Sequence, residues 1–162
     1  MKINEKMESS LKLKVSDWEL DFYSRPIIES NGKKRWELII CSTRSYKTED
    51  VFLWNKKCPA NEVNSVWLTK ALNEAISEAK KQGWEKPSIV RFWRSSMKSI
   101  IKKSLEAVSI EAIVSRRTYN LLDRIEFLEK EIYPKEKGYV RGVLAPTFLP
   151  KWKTPLNHFQ KL

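Results

Sequence analysis

PSIVRFWRSSMKSIIKKSLEAVSIEAIVSRRTYNLL, from Pro87 to Leu122, is the stretch whose reading sets the fold class. It reads as a strand, a helix, a second strand and the start of another helix. Pro87 forces an extended entry, and Ile89 and Val90 lead the chain along a strand. Met97, Ile100, Ile101, Leu105 and Val108 then recur at three- and four-residue spacing, with Lys98, Lys102 and Lys103 facing the other way, which is a helix with one apolar stripe. Ser95 or Ser96 is placed to cap its start. Ile110–Val114 forms the next strand, and a strand-helix-strand unit of this length is a parallel crossover, because no tight turn joins parallel strands. Both strand ends therefore emerge at one sheet edge. Each breaks into arginines followed by hydroxyl residues, Arg91-Phe92-Trp93-Arg94-Ser95-Ser96 and Ser115-Arg116-Arg117-Thr118. Ligands of open α/β sheets gather at that edge, where helix N-termini present unpaired N–H groups. The stretch predicts an anion site, with nucleic-acid phosphate as the expected anion.

Upstream, Leu11–Val15 and Trp18–Tyr23 alternate with period two, which puts Trp18, Leu20 and Phe22 on one face and Glu19, Asp21 and Tyr23 on the other. This first strand is expected to be half buried, with Glu19 and Asp21 solvated or paired to a nearby arginine. Ser30-Asn31-Gly32 is a turn signal, Lys34–Ser42 continues the alternation, and Val51–Trp54 offers a short third strand. Asn55–Asn61, with Cys58-Pro59, is expected to break the sheet. Val63, Trp67, Leu68, Ala71, Leu72, Ala75, Ile76 and Ala79 mark a helix closed by Gly83. Thr118 can cap a last helix that turns Leu121, Leu122, Ile125, Leu128 and Ile132 inward and ends at Tyr133-Pro134. Downstream, Gly138, Gly142, Pro146, Pro150 and Pro155 punctuate a basic, aromatic segment with no regular period.

The element order β-β-β-α-β-α-β-α predicts an α/β (α+β) fold built on a mixed five-stranded sheet in a ribonuclease H-like arrangement, followed by an irregular C-terminal tail. One domain is expected over residues 11–134, a tail over 135–162 that packs on it, and disorder over 1–10. In that arrangement Ser24-Arg25-Pro26, at the end of the first strand, reaches the same edge as Arg94 and Arg116-Arg117.

Charge and composition narrow the function. Thirty-one Lys and Arg against twenty acids give 162 residues a net charge of +11, which favours a polyanionic partner. A mean hydropathy of −0.52 and the lack of any long apolar run argue against membrane insertion. The N-terminus has no apolar core for a signal peptide. Cys41 and Cys58 stand apart, and with His158 as the lone imidazole they form neither a zinc site nor a disulfide framework, so reduced thiols in the cytoplasm are expected. No nucleophile elbow, P-loop, dinucleotide fingerprint or zinc-protease motif occurs. A metal nuclease of ribonuclease H-like fold needs converging carboxylates; Asp21 and Glu74 or Glu78 could supply two, but Arg91 and Arg94 stand where another is required. Neither catalytic residue, metal nor cofactor is expected. A nuclease-like enzyme and a protein-binding scaffold using the aromatic tail are the alternatives to a nucleic-acid-binding protein.

The candidate nucleic-acid contacts are Arg25, Arg91, Trp93, Arg94, Ser95, Arg116, Arg117 and Thr118. A guanidinium holds two phosphate oxygens at once and keeps its charge, and an aromatic ring beside it gives an unpaired base a stacking surface. Phe92 and Trp93 point to opposite faces, so one of them belongs to the core. Pairing of the arginines with Glu111, Asp123 or Glu126 is the competing structural use.

WELDFYSRPI (Trp18–Ile27), GKKRWELIIC (Gly32–Cys41), CPANEVNSVWLTKAL (Cys58–Leu72), RFWRSSM (Arg91–Met97), SRRT (Ser115–Thr118) and IYPKEKGY (Ile132–Tyr139) together resemble the N-terminal half of a cyanobacterial and chloroplast family. That family is the TAB type of A/U-rich RNA-binding protein, which activates translation of photosystem reaction-centre subunits. The resemblance covers about Asp17 to Tyr139 and implies binding of single-stranded A/U-rich RNA, a role in photosystem biogenesis, and a cytoplasmic or plastid-stromal setting. Carried over by position, the motif residues are Trp18, Asp21, Phe22, Arg25 and Pro26 on the first strand, Arg91 and Arg94 on the fourth, and Arg116, Arg117 and Thr118 after the fifth. Members of the family continue into a second domain of similar size.

Overall fold

A computed structural model describes residues 13–45 and 48–141. Its strands are β1 (Trp18–Ile28), β2 (Lys34–Ser42), β3 (Leu53–Cys58), β4 (Ile89–Phe92) and β5 (Glu111–Val114), and its α-helices are α1 (Ser65–Lys81), α2 (Lys98–Ala107) and α3 (Tyr119–Phe127). The five strands make one sheet in the order β3-β2-β1-β4-β5. β1 pairs antiparallel with β2 and parallel with β4, and β4 pairs parallel with β5. This is the mixed α/β sheet that the element order predicts.

Both faces are covered. On one face Trp18, Leu20, Phe22, Leu38, Ile40, Val90 and Phe92 meet the apolar stripes of α1 and α2. Asn64 caps α1 by accepting the Trp67 N–H at 2.8 Å. Phe22 stacks on Trp67, with ring centroids 5.4 Å apart. On the opposite face Ile27, Ile39 and Cys41 pack against Leu121, Ile125, Leu128 and Tyr133. The second face of β1 is therefore interior, contrary to the half-buried strand expected, and it buries Glu19 and Asp21 beneath α3. Alternation fixes which side chains share a face but says nothing of what later packs on that face.

Other departures have local causes. β3 runs on through Asn55, Lys56 and Lys57 to Cys58, because an edge strand keeps one face wet and tolerates lysine there. Ser95 and Ser96 do not cap α2; they open a 3-10 turn that feeds into it, and both are exposed. Ile132 is 39% exposed and Tyr133 takes the inward position instead. A π-helical turn over Leu128–Ile132 adds a residue to the repeat and rotates the buried face by one place.

Between Ser24 and Ile28, β1 advances four residues while β2 advances two, from Trp36 to Lys34. Pro26, which has no N–H to give to a ladder, sits in this bulge. The start of the expected tail pairs with the bulged strand end, for Ile28 N–H donates to Gly138 O at 2.8 Å and Val140 N–H to Pro26 O at 2.9 Å. Residues 1–12 and 142–162 lie outside the described residues, and with them the expected N-terminal disorder and most of the tail. Among the described residues no helix is long and apolar enough to cross a membrane.

Candidate nucleic-acid interface

The arginines at the strand ends form two groups with different surroundings. The inner group is organised by Asp21. Residues four apart on a strand share a face, so Arg25 comes back to Asp21, its Nη1 donating to Oδ2 at 2.9 Å. Arg94, just past β4, donates from Nε to Oδ1 at 2.8 Å and from Nη2 to Oδ2 at 3.2 Å. Arg25 also donates to the Glu37 carbonyl at 2.9 Å, and the Glu37 carboxylate accepts from Tyr133 Oη and, at 2.7 Å, from Asn55 Nδ2. The Arg94 guanidinium lies 3.8 Å from the Tyr23 ring centroid and 4.0 Å from that of Trp93. Burial alone would raise the Asp21 pKa, but the charges of Arg25 and Arg94 outweigh it and hold the carboxyl below its ordinary range. Tyr133 is pushed upward, first by burial.

Arg25 is 0% and Arg94 5% exposed, so neither guanidinium stands on the surface where the strand-end reading puts it. Arg25 lies on the inward face that it shares with Asp21, and Asp21 compensates both charges in a buried site. Asp21 accepts three hydrogen bonds from two guanidiniums, whose positive charges oppose the magnesium that a nuclease reading would place there. Among the described residues no group of three His, Cys, Asp or Glu converges for a metal. Trp93 is half buried against the cluster under α3, and Phe92 is in the opposite core, as their alternation implies. Trp18 and Phe22 also belong to that core.

The outer group borders a cleft of about 400 Å³ between the start of β1, the end of β2 and the first turn of α3. Arg44, Arg91 and Arg117 are the arginines that line it. Arg91 donates to Asp17 Oδ2 at 2.7 Å, and its side chain is 22% exposed. The Ser115 hydroxyl accepts the Arg117 N–H at 3.0 Å and shapes the loop that carries exposed Arg116 and Arg117. Thr118 is wholly buried, and its hydroxyl makes no hydrogen bond to cap α3. The cap comes from elsewhere: Glu19 accepts the Leu121 N–H at 3.0 Å, so the protein's own carboxylate occupies the helix start that was expected to hold phosphate. Burial raises the Glu19 pKa, and the Leu121 N–H opposes that rise. Asp17, Glu19 and Asp123 also line the cleft, Asp17 as the partner of Arg91, with Thr43, Tyr119 and Asn120 completing it. Arg44 was missed by sequence reading. Its signal was the same as for the others, a basic residue just past a strand end, in Cys41-Ser42-Thr43-Arg44.

A family described as "RNA-binding protein Tab2/Atab2 N terminal" matches residues 17–127. The chain belongs to this family. Asp21, both of its arginines and every residue of the cleft fall inside the Tab2/Atab2 N-terminal match. Two similar proteins are named "Protein TAB2 homolog, chloroplastic". The one from Zea mays is 38% identical over 146 residues, covering 85% of this chain and 35% of the relative. The one from Arabidopsis thaliana is 34% identical over 131 residues, covering 80% and 33%. The chain thus spans about a third of the length of these relatives. Among solved structures, a chain of the simian T-cell lymphotropic virus intasome in complex with PP2A regulatory subunit B56 gamma aligns over 76% of this chain and 41% of its own length. Its TM-score is 0.48 at 14% identity, too distant to carry a functional argument.

Proposed function

We propose that this Tab2/Atab2 N-terminal domain binds single-stranded RNA without cleaving it, and that Arg44, Arg91, Arg116 and Arg117 hold the phosphates along the mouth of the cleft. The observation that carries the reading is the gathering of Arg44, Arg91 and Arg117 from the ends of β2, β4 and β5 at one cleft, with Arg116 exposed on the same loop as Arg117, in a chain of net charge +11. The family's description as an RNA-binding protein supports RNA as the polyanion. In this reading Asp21, Arg25 and Arg94 brace the sheet behind the contact surface, Thr118 belongs to the packing of α3, and Trp93 and Ser95 flank the site. A preference for A/U-rich sequences, a role in translating photosystem subunits, and a plastid-stromal or cyanobacterial cytoplasmic setting follow from the family resemblance and form part of the proposal. The chloroplastic relatives are consistent with that setting.

Four phosphate contacts on a single strand give a slope of roughly −3 for log K against log salt. The test is fluorescence anisotropy with a labelled A/U-rich oligonucleotide across a salt series. Replacing the exposed pair Arg116 and Arg117 by alanine should weaken binding about tenfold or more and flatten the slope by roughly 1.4, the share of two phosphates. Unchanged affinity and slope would refute the interface. RNA cleaved by the purified protein would refute the non-catalytic reading.

A further inference from the structure

At the cleft the protein's own carboxylates answer part of the positive charge, as Asp17 does for Arg91. On the opposite face of the sheet a group of cations has no such answer. The exposed side of α2 carries Lys98, Lys102 and Lys103 against a single carboxylate, Glu106, and Lys70 joins them from α1. Among the described residues none of these four lysines makes an ion pair, whereas Lys56, beyond Lys70 on the β3 side of α1, is held by Glu74.

The fold fixes Lys70 and Lys103 on the two walls of one groove. The buried Ser104 hydroxyl donates to the Ser65 carbonyl at 3.1 Å and joins the last turn of α2 to the first turn of α1. The groove that opens beside this contact has a volume of about 450 Å³, and Ser65, Thr69, Lys70, Asn73 and Lys103 line it with no carboxylate among the described residues. An anion lying there meets two ammonium groups and no opposing charge. Lysine, a point charge on a flexible stem, suits a phosphate backbone whose course is not rigidly set.

The lysines also adjoin the arginine loop. Val114 pairs with Phe92, and the Ser115 N–H donates to the Phe92 carbonyl at 2.9 Å. The loop bearing Arg116 and Arg117 therefore leaves the sheet beside the chain that runs through the Ser95–Met97 turn into α2 at Lys98. Lys102 stands one helical turn further on, about 6 Å along the axis, and its neighbour Lys103 lines the groove.

We infer that a single RNA strand held at Arg116 and Arg117 continues over this edge onto a second phosphate-binding surface, made by Lys98, Lys102 and Lys103 of α2 and Lys70 of α1. The inference rests on the RNA-binding reading and adds the onward path of the strand. A strand long enough to follow that path gains phosphate contacts that a short one lacks, so the salt dependence should steepen with length.

The experiment measures anisotropy across a salt series with labelled A/U-rich oligonucleotides of about 5 and about 15 nucleotides, within the usual span of single-strand sites. It uses the full chain and its Lys70→Ala/Lys102→Ala/Lys103→Ala variant. In wild type the slope of log K against log salt should go from roughly −3 with the short strand to roughly −6 with the long one, as four further phosphates are engaged. The triple variant should bind the short strand as wild type does, which also reports an intact fold, and should lose roughly 2 of the slope and tenfold or more in affinity with the long strand. Equal slopes for both lengths in wild type, or a variant that matches wild type on the long strand, overturn the path while the RNA-binding reading stands, and leave the lysine face to an acidic protein partner. A variant that weakens both lengths alike reports a general loss of charge and overturns the path as well. Absence of binding to either strand by wild type overturns both readings.

Discussion

Asp21→Asn tests the inner arginine pair most directly, because it keeps the side-chain shape and removes one charge from a closed group. In the folded protein the Asp21 and Arg25 side chains are fully buried and Arg94 is 6% exposed, so the substitution strands two cations away from water. The nearest remaining counter-charge for Arg25 is Glu37, at 3.8 Å. Breaking a buried ion pair by removing one partner costs ~3–5 kcal/mol. Two cations lose their partner here, while the stacking of Arg94 between Tyr23 and Trp93 persists, so about 4 kcal/mol is expected. With a urea slope of about 2 kcal/mol per M, the unfolding midpoint should fall by roughly 2 M at neutral pH.

The pH dependence of that difference is a second readout. The folded-state pKa of Asp21 lies below its usual 3.8, so its contribution is complete above pH 3.8 and is lost as pH falls through the depressed folded value. The gap between wild type and variant should stay constant from neutral pH down to about 4 and close only below that. Adding Arg25→Met and Arg94→Met to the variant removes the stranded charges and should recover most of the loss, since apolar replacements of buried ion groups are often neutral or stabilising. A loss under about 1 kcal/mol for Asp21→Asn alone would refute the buried group as described.

Three further outcomes follow from the same structure. The Glu19 pKa is raised above its usual 4.5 by burial, so its charge lowers stability as pH rises from 4.5 through the folded value; Glu19→Gln keeps an acceptor for Leu121 N–H and should gain on wild type over that range in urea unfolding. Gly83→Ala and Gly138→Ala both place a side chain at φ +88, but the new Cβ at 83 meets only Lys14 Cε at 3.7 Å, whereas at 138 it presses on the Ile28 carbonyl oxygen. The first should cost about 1–2 kcal/mol. The second should cost more and, unlike the first, speed hydrogen exchange at Ile28 and Val140, where residues 138–140 pair with β1. Burial pushes the Cys58 thiol up to about 12, so alkylation at neutral pH should be slow in the native chain and fast in urea.

The strand, helix, strand reading of Pro87–Leu122 was legible because each element carries its own period, and the parallel pairing of β4 with β5 follows from the crossover that joins them. The α1 stripe was equally local, since Leu68, Leu72, Ala75 and Ala79 recur on one side of a single helix. Period could not tell that Asn55–Lys57 would extend an edge strand, because lysine and asparagine disfavour strands only on average. Nor could it locate the π-helical turn that exchanges Ile132 for Tyr133.

The sequence by itself determined the sheet class, the helix faces, the basic charge and the clustering of arginines at strand ends, all of which depend on spacing within one element or on simple composition. Tertiary structure alone decided which arginines turn inward. Arg94 meets Asp21 across 73 residues, and the Leu121 N–H meets Glu19 across 102. A strand's alternation fixes the face on which a charge lies, but only the element that packs there decides whether water or a carboxylate answers it. That is why Arg25 and Arg94 are enclosed with Asp21, while Arg117 borders the cleft and Arg116 stands exposed on the same loop.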